Sequence, residues 1–522
     1  MNLQLRKATV ADSRFLFELR NDASVREVSF STEPIPFESH EKWLAKKLAD
    51  TTSTIFIAET KGGVPLAQIR FDLVDEKTAE VSIAVAKEYR GKGYGSHVLS
   101  SASRRFFEEH PSLAFIRARI KTSNGSSLRS FEKSGYKRIE TDALHDTEVV
   151  EMLLTHPSLQ MRIGERYLGG GAPCFIVAEI SGNHHQKYEE AVALLRAAKE
   201  AGADAVKLQT YTPDTITLNS DNEWFRVNGI DNPAGWKGKT LYELYQEAYT
   251  PWEWQPKLKK LADEMGIILF STPFDETAVD FLEKMNVPCY KIASYEATDF
   301  LLLQKVARTK RPVILSVGYA TEDEIKEAVA TLRQYGTTNI AVLHCVTGYG
   351  AEPAPRDMHL RTIADISARF GVVSGFSDNN AGIFVPQMAV HAGASIIEKH
   401  LILDRNQGGP DARFSLEPAE LKELVANIRE VEAGQKSLSA SEELLGTLHY
   451  GPSNGVEEYN KRFRRSLFSG KDIKKGELFT KENVRDVRPG LGLPTKHFDE
   501  IIGKHATKNI PFATPLSWKM IS

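Results

Sequence analysis

The chain has 522 residues, 41% of them hydrophobic and 26% charged, a length that fits about three domains. A net charge of −3 and a pI near 6.6 give no electrostatic ground for a nucleic-acid or anionic-membrane partner. With no uncharged apolar segment long enough to span a bilayer, no signal-peptide core in MNLQLRKATVADS, and only Cys174, Cys289 and Cys345 set singly in apolar runs, buried thiols in a reducing cytoplasm are expected.

Residues 1 to about 155 alternate helix-like and strand-like segments. DSRFLFELRNDASVREV and SHEKWLAKKLAD read as helices; TIFIAET, LAQIRFDLV and AEVSIAVA read as consecutive strands. VSIAVAKEYRGKGYGSHVLSSASRRFFEE is then a strand, a turn and an amphipathic helix, with Arg90, Gly91, Gly93 and Gly95 at the helix start. Backbone N–H groups and the helix dipole at such a turn suit a pyrophosphate. With FIRARIK and TSNGSSLRSFEKSGYKRIE following, this order resembles the GCN5-related N-acetyltransferases (GNAT) over most of residues 3–142.

That resemblance implies acetyl-CoA as cosubstrate, its pyrophosphate on the R-x-x-G-x-G loop and Asn124 near the pantetheine arm. Tyr136 becomes a candidate proton donor to the departing thiolate, and reads equally as a core aromatic. Glu80 is a candidate base and equally a surface carboxylate. LRND, SHEKW and QIRFD are similar to a subgroup that acetylates nucleotide-linked amino sugars; on that analogy Arg20, Asn21, His40 and Arg70 contact the substrate.

Pro157 and the glycines at 169–171 predict a junction without regular structure over 157–172. Beyond it, eight short apolar strands alternate with helical stretches: FIVAEIS, AVKLQTY, IILFSTP, CYKIAS, VILSVG, IAVLHCV, VVSGFSD and SIIEKH. This count predicts a (β/α)8 TIM barrel, with an open doubly wound sheet as the structural alternative. A linker then leads to a small β-rich module from about Phe463. The expected fold is α/β and multidomain: a GNAT α/β domain over 1–156, a barrel over 171–432 and the β-rich module over 461–522.

Catalytic groups of such barrels gather at the C-terminal ends of the strands. In strand order these ends offer Glu179; Lys207 and Gln209; Thr272; Lys291, Ser294 and Glu296; Ser316; Thr347 and Tyr349; Ser377, Asp378 and Asn379; and Glu398, Lys399 and His400, with Asp411 following in GGPD. Lys207 and Lys291 lie inside apolar runs, where an unpaired ammonium is costly. Two inward lysines among hydroxyls suit a ligand carrying a phosphate and a carboxylate; two buried structural ion pairs are the alternative.

FIVAEISGNH, AGADAVKLQTY, FSTPFD, YKIAS, ILSVG, LHCV, GFSD, IIEKH and GGPD resemble the sialic acid synthase family, over roughly residues 171–522. KDIKKGE and NVRDVRPGLGL resemble its antifreeze-like (SAF) module. The resemblance implies condensation of phosphoenolpyruvate with an N-acylated amino sugar, releasing phosphate. It assigns phosphoenolpyruvate to Lys207, Thr272, Lys291, Ser294, Ser316, Thr347 and Ser377, and the sugar to Glu179, Gln209, Tyr349, Asp411 and Arg488. Glu296 would orient or deprotonate the attacking water. His400 would hold a divalent metal, Mg²⁺ or Mn²⁺, with Asn379 where relatives usually place a histidine. The SAF module would reach over a neighbouring subunit in a domain-swapped homodimer.

KLQTYTPDTITLNSDNEWFRV, TLYELYQEAYTPWEWQPKL and PFDETAVDFLE resemble the pseudaminic acid synthase branch, whose acceptor is 2,4-diacetamido-2,4,6-trideoxy-L-altrose. The fused acetyltransferase agrees, since that pathway acetylates a UDP-linked 4-amino sugar; legionaminic acid synthesis is the nearest rival and sialic acid synthesis a further one. A different class is a sugar- or acyl-CoA-sensing protein on degenerate domains, for which Asn379 and Asn380 are the best support.

Overall fold

Alternating β-branched strands and amphipathic helices sort into two compact units, residues 1–159 and 160–522. The computed structural model describes residues 3–75, 78–110, 113–144, 147–155, 159–227, 238–346, 353–409, 411–433 and 441–522, with the backbone alone at 138–144, 147–148 and 155.

The first unit is a seven-stranded sheet in the order β1-β2-β3-β4-β5-β7-β6. Its strands are β1 (Leu3–Lys7), β2 (Ser53–Thr60), β3 (Pro65–Leu73), β4 (Thr78–Val85), β5 (Phe115–Lys121), β6 (Lys137–Leu144) and β7 (Thr147–Thr155). Helices α1 (Ser13–Asn21), α2 (Ala23–Glu27) and α3 (Phe37–Ala49) lie between β1 and β2, α4 (Tyr94–Glu109) follows β4, and α5 (Gly125–Lys133) follows β5. Parallel strands β4 and β5 pair only from Thr78↔Phe115 to Glu80↔Arg117 and then part. The core is aromatic: Phe71 stacks on Phe106 at 4.3 Å, and Phe56 is fully buried beside them.

The expected break over 157–172 is instead a hairpin, β8 (Gln160–Ile163) with β9 (Arg166–Gly169). Gly164 makes its turn at φ +57°, and the left-handed glycines 169–171 redirect the chain only after it. Met161, Ile163 and Leu168 are buried in one apolar cluster with Phe175, Val177, Phe270, Val373 and Ile396 of the barrel.

The eight expected strands all form, and they close: β10 (Phe175–Glu179), β11 (Ala205–Thr210), β12 (Ile268–Pro273), β13 (Tyr290–Ile292), β14 (Val313–Ser316), β15 (Ile340–Val346), β16 (Val373–Asp378) and β17 (Ile396–His400). Pairing of β10 with β17 removes the open-sheet alternative. Because neighbours in register share a facing, one row runs Cys345↔Ser377↔Glu398 and another Glu179↔Lys207. Small residues make room for these rows: a Cβ on Gly375 would stand 2.5 Å from the Ile396 carbonyl oxygen.

The C-terminal module has its own small core, including Leu467, Ile473, Phe479, Val484 and Leu516, around the pair β18 (Ser466–Ser469) and β19 (Val484–Val487). It shares the barrel's compact unit. Phe463, Phe468 and Val487 join Tyr211, Phe274, Tyr295 and Tyr319 of the barrel in one buried cluster. Among the described residues no helix is long and apolar enough to cross a membrane.

Candidate active site

The barrel lysines are both inward and buried. Lys207 forms an ion pair with Glu179, donates to Thr272 Oγ1 at 3.2 Å and stands 3.6 Å from Glu398; Lys291 stands 3.4 Å from the same Glu398 oxygen. Glu398, read from sequence only as a strand end, is therefore the counter-ion of both lysines. The signal for it was its spacing of two from His400, which puts both on one face of β17.

Burial and charge set the protonation of this cluster. Burial disfavours ionised Glu398, yet Lys207 and Lys291 outweigh it and hold the carboxyl down at about 2. Burial raises Glu179, against the pull of Lys207. Burial depresses the Lys291 ammonium, whereas Glu179 and Glu398 overcome burial at Lys207 and raise it. Burial, then the Lys207 charge, push His400 down to about 3, so its imidazole is neutral.

Hydroxyls ring the pair. Ser377 donates to Glu398 at 3.1 Å, Ser294 accepts from the Gly318 amide at 3.1 Å, and Ser316 Oγ is buried with no partner. Glu179 Oε1 accepts from the Ser181 amide at 2.8 Å and from Gln209 at 3.1 Å. His400 Nδ1 is likewise buried without a partner, and its Nε2 lies 4.0 Å from Asp411, whose carboxyl burial raises. Asn379 Nδ2 faces Cys345 Sγ at 3.5 Å. Thr347 and Tyr349 lie outside the described residues.

A cleft above the lysines is lined by Gln209, Tyr211, Tyr245, His400, Asp411 and Arg488. Arg488 comes from the C-terminal module, donates to Tyr245 Oη at 3.1 Å and lies 4.9 Å from the centre of the Tyr295 ring. It also grips Glu296 Oε1 through Nε at 3.1 Å and Nη2 at 2.6 Å, and Arg465 stands 3.7 Å from the same oxygen. Glu296 thus meets the module's arginines through Oε1, while its Oε2 is buried with no partner. Arg465, which sequence reasoning passed over, also meets Asp299 at 3.7 Å and donates to the Thr215 carbonyl at 3.1 Å.

In the first unit, Gly91 and Gly93 take φ +73° and +81°, and α4 begins immediately after them with Gly95 in its first turn. L-side chains rarely adopt those angles, so the glycines let the loop turn its amides towards a ligand at the helix N-terminus. Arg90 braces this loop, donating to the Val85 carbonyl at 2.7 Å and bonding Ser24. Asn124 caps α5, accepting from the Ser127 amide at 3.1 Å.

Tyr136 requires a correction. It is 1% exposed, packs edge-on against Phe131 and shares a 2.8 Å hydrogen bond with Ser103; burial raises its phenol further. It is the core aromatic, not a proton donor. Glu80 is partly exposed and paired with Arg117 at 3.2 Å. Of the residues tied to a sugar acceptor, Asn21 exchanges hydrogen bonds with the backbone of Ile35, Arg20 donates to the Ser31 carbonyl, and Arg70 pairs with Asp72 at 2.7 Å. His40 is buried among Phe17, Phe37 and Trp43, and burial depresses it.

Comparison with known proteins agrees with this anatomy. Residues 2–137 match the acetyltransferase (GNAT) domain, 194–439 the NeuB family and 464–522 the SAF domain. Over 344 residues the chain is 41% identical to pseudaminic acid synthase of Campylobacter jejuni, covering 66% of this chain and 95% of that protein. It is 34% identical to N,N'-diacetyllegionaminic acid synthase of Legionella pneumophila over 357 residues, 68% of this chain and 96% of that one. The crystal structure of spore coat polysaccharide biosynthesis protein spsE from Bacillus subtilis superposes with a TM-score of 0.60 at 35% identity, over 70% of this chain and 99% of that chain. The closed barrel with its paired lysines, the module that brings Arg488 to its mouth and these likenesses together lead to one conclusion: the chain belongs to the NeuB family of sialic-acid-type synthases, with an acetyltransferase domain fused ahead of the barrel and a SAF domain behind it.

Proposed function

We propose that the barrel is a pseudaminic acid synthase, condensing phosphoenolpyruvate with 2,4-diacetamido-2,4,6-trideoxy-L-altrose, and that the first unit acetylates the UDP-linked 4-amino precursor of that sugar. The observation that carries the first half is the buried Lys207–Glu398–Lys291 arrangement beneath a cleft lined by Arg488, Gln209 and Asp411. Greater identity to the pseudaminic than to the legionaminic synthase supports the choice of acceptor.

In this reading Lys207 and Lys291 receive the phosphate and carboxylate of phosphoenolpyruvate, with Thr272, Ser294, Ser316, Thr347 and Ser377 donating around them. Carbon C3 of the enol attacks the sugar aldehyde. The aldehyde oxygen takes up a proton from the Lys207–Glu179 pair as the C–C bond forms. Water adds to the cation left at C2 as Glu296 orients or deprotonates it, and phosphate then departs with cleavage of its C–O bond. The lysines stabilise the phosphate throughout, and Glu398 keeps their charge balanced. Gln209, Asp411, Tyr349 and Arg488 orient the sugar.

The donor set fits a hard divalent cation. His400 is neutral with Nδ1 buried and unpartnered, and Asn379 offers an amide oxygen. Among the described residues no three His, Cys, Asp or Glu side chains are set to hold a metal ion, so these two would hold Mg²⁺ or Mn²⁺ together with substrate oxygens. When bound, the ion supplies polarisation of the aldehyde oxygen. In the acetyltransferase, the Gly91–Gly95 loop holds acetyl-CoA by its pyrophosphate and Asn124 meets the pantetheine arm. We further propose that two subunits exchange C-terminal modules in a homodimer, each making the contacts of Arg488 and Arg465 on the other's barrel.

The test is an acceptor panel. Purified protein is given phosphoenolpyruvate, a metal series and, in turn, the diacetamido-altrose, the legionaminic precursor and N-acetylmannosamine, and phosphate and product mass are measured. Phosphate release with the altrose derivative is expected. Preference for another acceptor reassigns the branch, and no phosphate with any metal or acceptor removes the synthase reading.

A further inference from the structure

Lys399 follows Glu398 on β17 and, by strand alternation, points the other way, out of the barrel interior. Its side chain is nevertheless fully buried. An ammonium there must be paired, and it is: Nζ stands 2.8 Å from Asp378 Oδ2 and also bonds the Asn380 carbonyl oxygen. Asp378 in turn accepts, at Oδ1, the Asn380 amide at 3.0 Å and the Asn380 side-chain Nδ2 at 2.6 Å. Residues 378 and 380 are thereby tied to each other and to the neighbouring strand.

Between the two tied residues stands Asn379, which turns the opposite way, against Cys345 in the interior row that also holds Ser377 and Glu398. We infer that Lys399 is a positioning residue: through Asp378 and the Asn380 carbonyl it clamps the 377–380 turn from outside the barrel and so fixes Ser377 and Asn379 over the reacting centre. The clamp touches neither substrate, and this role rests on the proposed condensation at the lysine cluster. Lysine suits the task because one Nζ carries three donors, enough to join a carboxylate on one turn residue to a carbonyl on another.

Replacing Lys399 alone strands a buried carboxylate, so the decisive variant removes both charges, Asp378→Asn with Lys399→Met. A second variant, Asn380→Ala, leaves the ion pair intact and deletes the Asn380 Nδ2 bonds to Asp378 and to Met358 Sδ. Three readouts are taken: thermal unfolding, hydrogen–deuterium exchange of residues 376–384, and phosphoenolpyruvate-dependent phosphate release. We expect the double variant to unfold near the parental temperature, to exchange at least ten times faster over 376–384 alone, and to lose at least thirtyfold in kcat with acceptor KM within threefold. For Asn380→Ala we expect the same pattern with a smaller loss. Parental exchange over 376–384, or kcat within threefold of the parent, in the folded double variant makes the pair mere charge balance and overturns the inference. If the double variant does not fold, Asn380→Ala decides on the same criteria. The exchange arm needs no substrate, and a parent without phosphate release counts against the proposed reaction rather than against the clamp.

Discussion

A lysine inside a parallel strand is the most legible feature of this chain, because an ammonium in a core must be answered by an acid or a ligand. Lys207 and Lys291 are answered by acids: Glu179 pairs with Lys207, and Glu398 stands beside both. Lys291→Met should lower kcat/KM for phosphoenolpyruvate by about 100-fold or more, measured by phosphate release, while Lys207 keeps Glu398 paired. Less legible was which acid would answer, since Glu398 and Lys399 are adjacent in sequence and only the register of β16 on β17 sends one inward and one outward. SGYKR likewise leaves Tyr136 open between a proton donor and a core aromatic, because it does not say which way the ring points, and the ring points into the core. Histidine burial carries a pH consequence. His344 Nε2 is buried and donates to the Met358 carbonyl oxygen at 2.7 Å, and burial brings the imidazole from 6.5 down to about 4. The folded state therefore binds this proton less readily than the unfolded one. The stabilisation is whole above pH 6.5 and is lost as pH falls towards 4. His344→Gln should remove about 2 kcal/mol of the parent's stability loss between pH 7 and 5, read from denaturation curves at the two pH values.

At the scale of elements, periodicity and strand count foretold the barrel well, because eight apolar runs with helical spacers leave few ways to bury both faces of a parallel sheet. The hairpin of β8 and β9 escaped, because a cluster of glycines reads as an end to structure whether it lies within an element or after it. Here Gly164 serves the turn and glycines 169–171 the exit, while Met161, Ile163 and Leu168 alternate onto the barrel's apolar end. That end carries no chemistry, so the hairpin should matter to stability alone. Leu168→Ala should cost about 2–5 kcal/mol in denaturant unfolding and leave the KM for phosphoenolpyruvate unchanged.

For the whole molecule, composition spoke for several domains, and motif order for three. What it could not convey is how much of the mouth of the barrel is built from the C-terminal module: Arg488 and Arg465 meet Glu296 only in three dimensions, 192 residues apart in the case of Arg488. If modules are exchanged between subunits, mixing Arg488→Ala and Lys291→Met proteins under conditions of subunit exchange should restore about a quarter of parental phosphate release, because half the dimers would then hold one intact site. No restoration would assign each module to its own barrel. The account's central claim is that one chain carries two independent transferase sites, a condensing barrel and an acetyltransferase. The most direct measurement follows phosphate release from phosphoenolpyruvate with the diacetamido-altrose, and thiol release from acetyl-CoA with the UDP-linked 4-amino sugar, in the parent, in Lys291→Met and in Gly93→Val. The account predicts that the parent performs both reactions, that Lys291→Met loses only phosphate release and that Gly93→Val loses only thiol release; a parent that performs neither, or variants that lose both together, would contradict it.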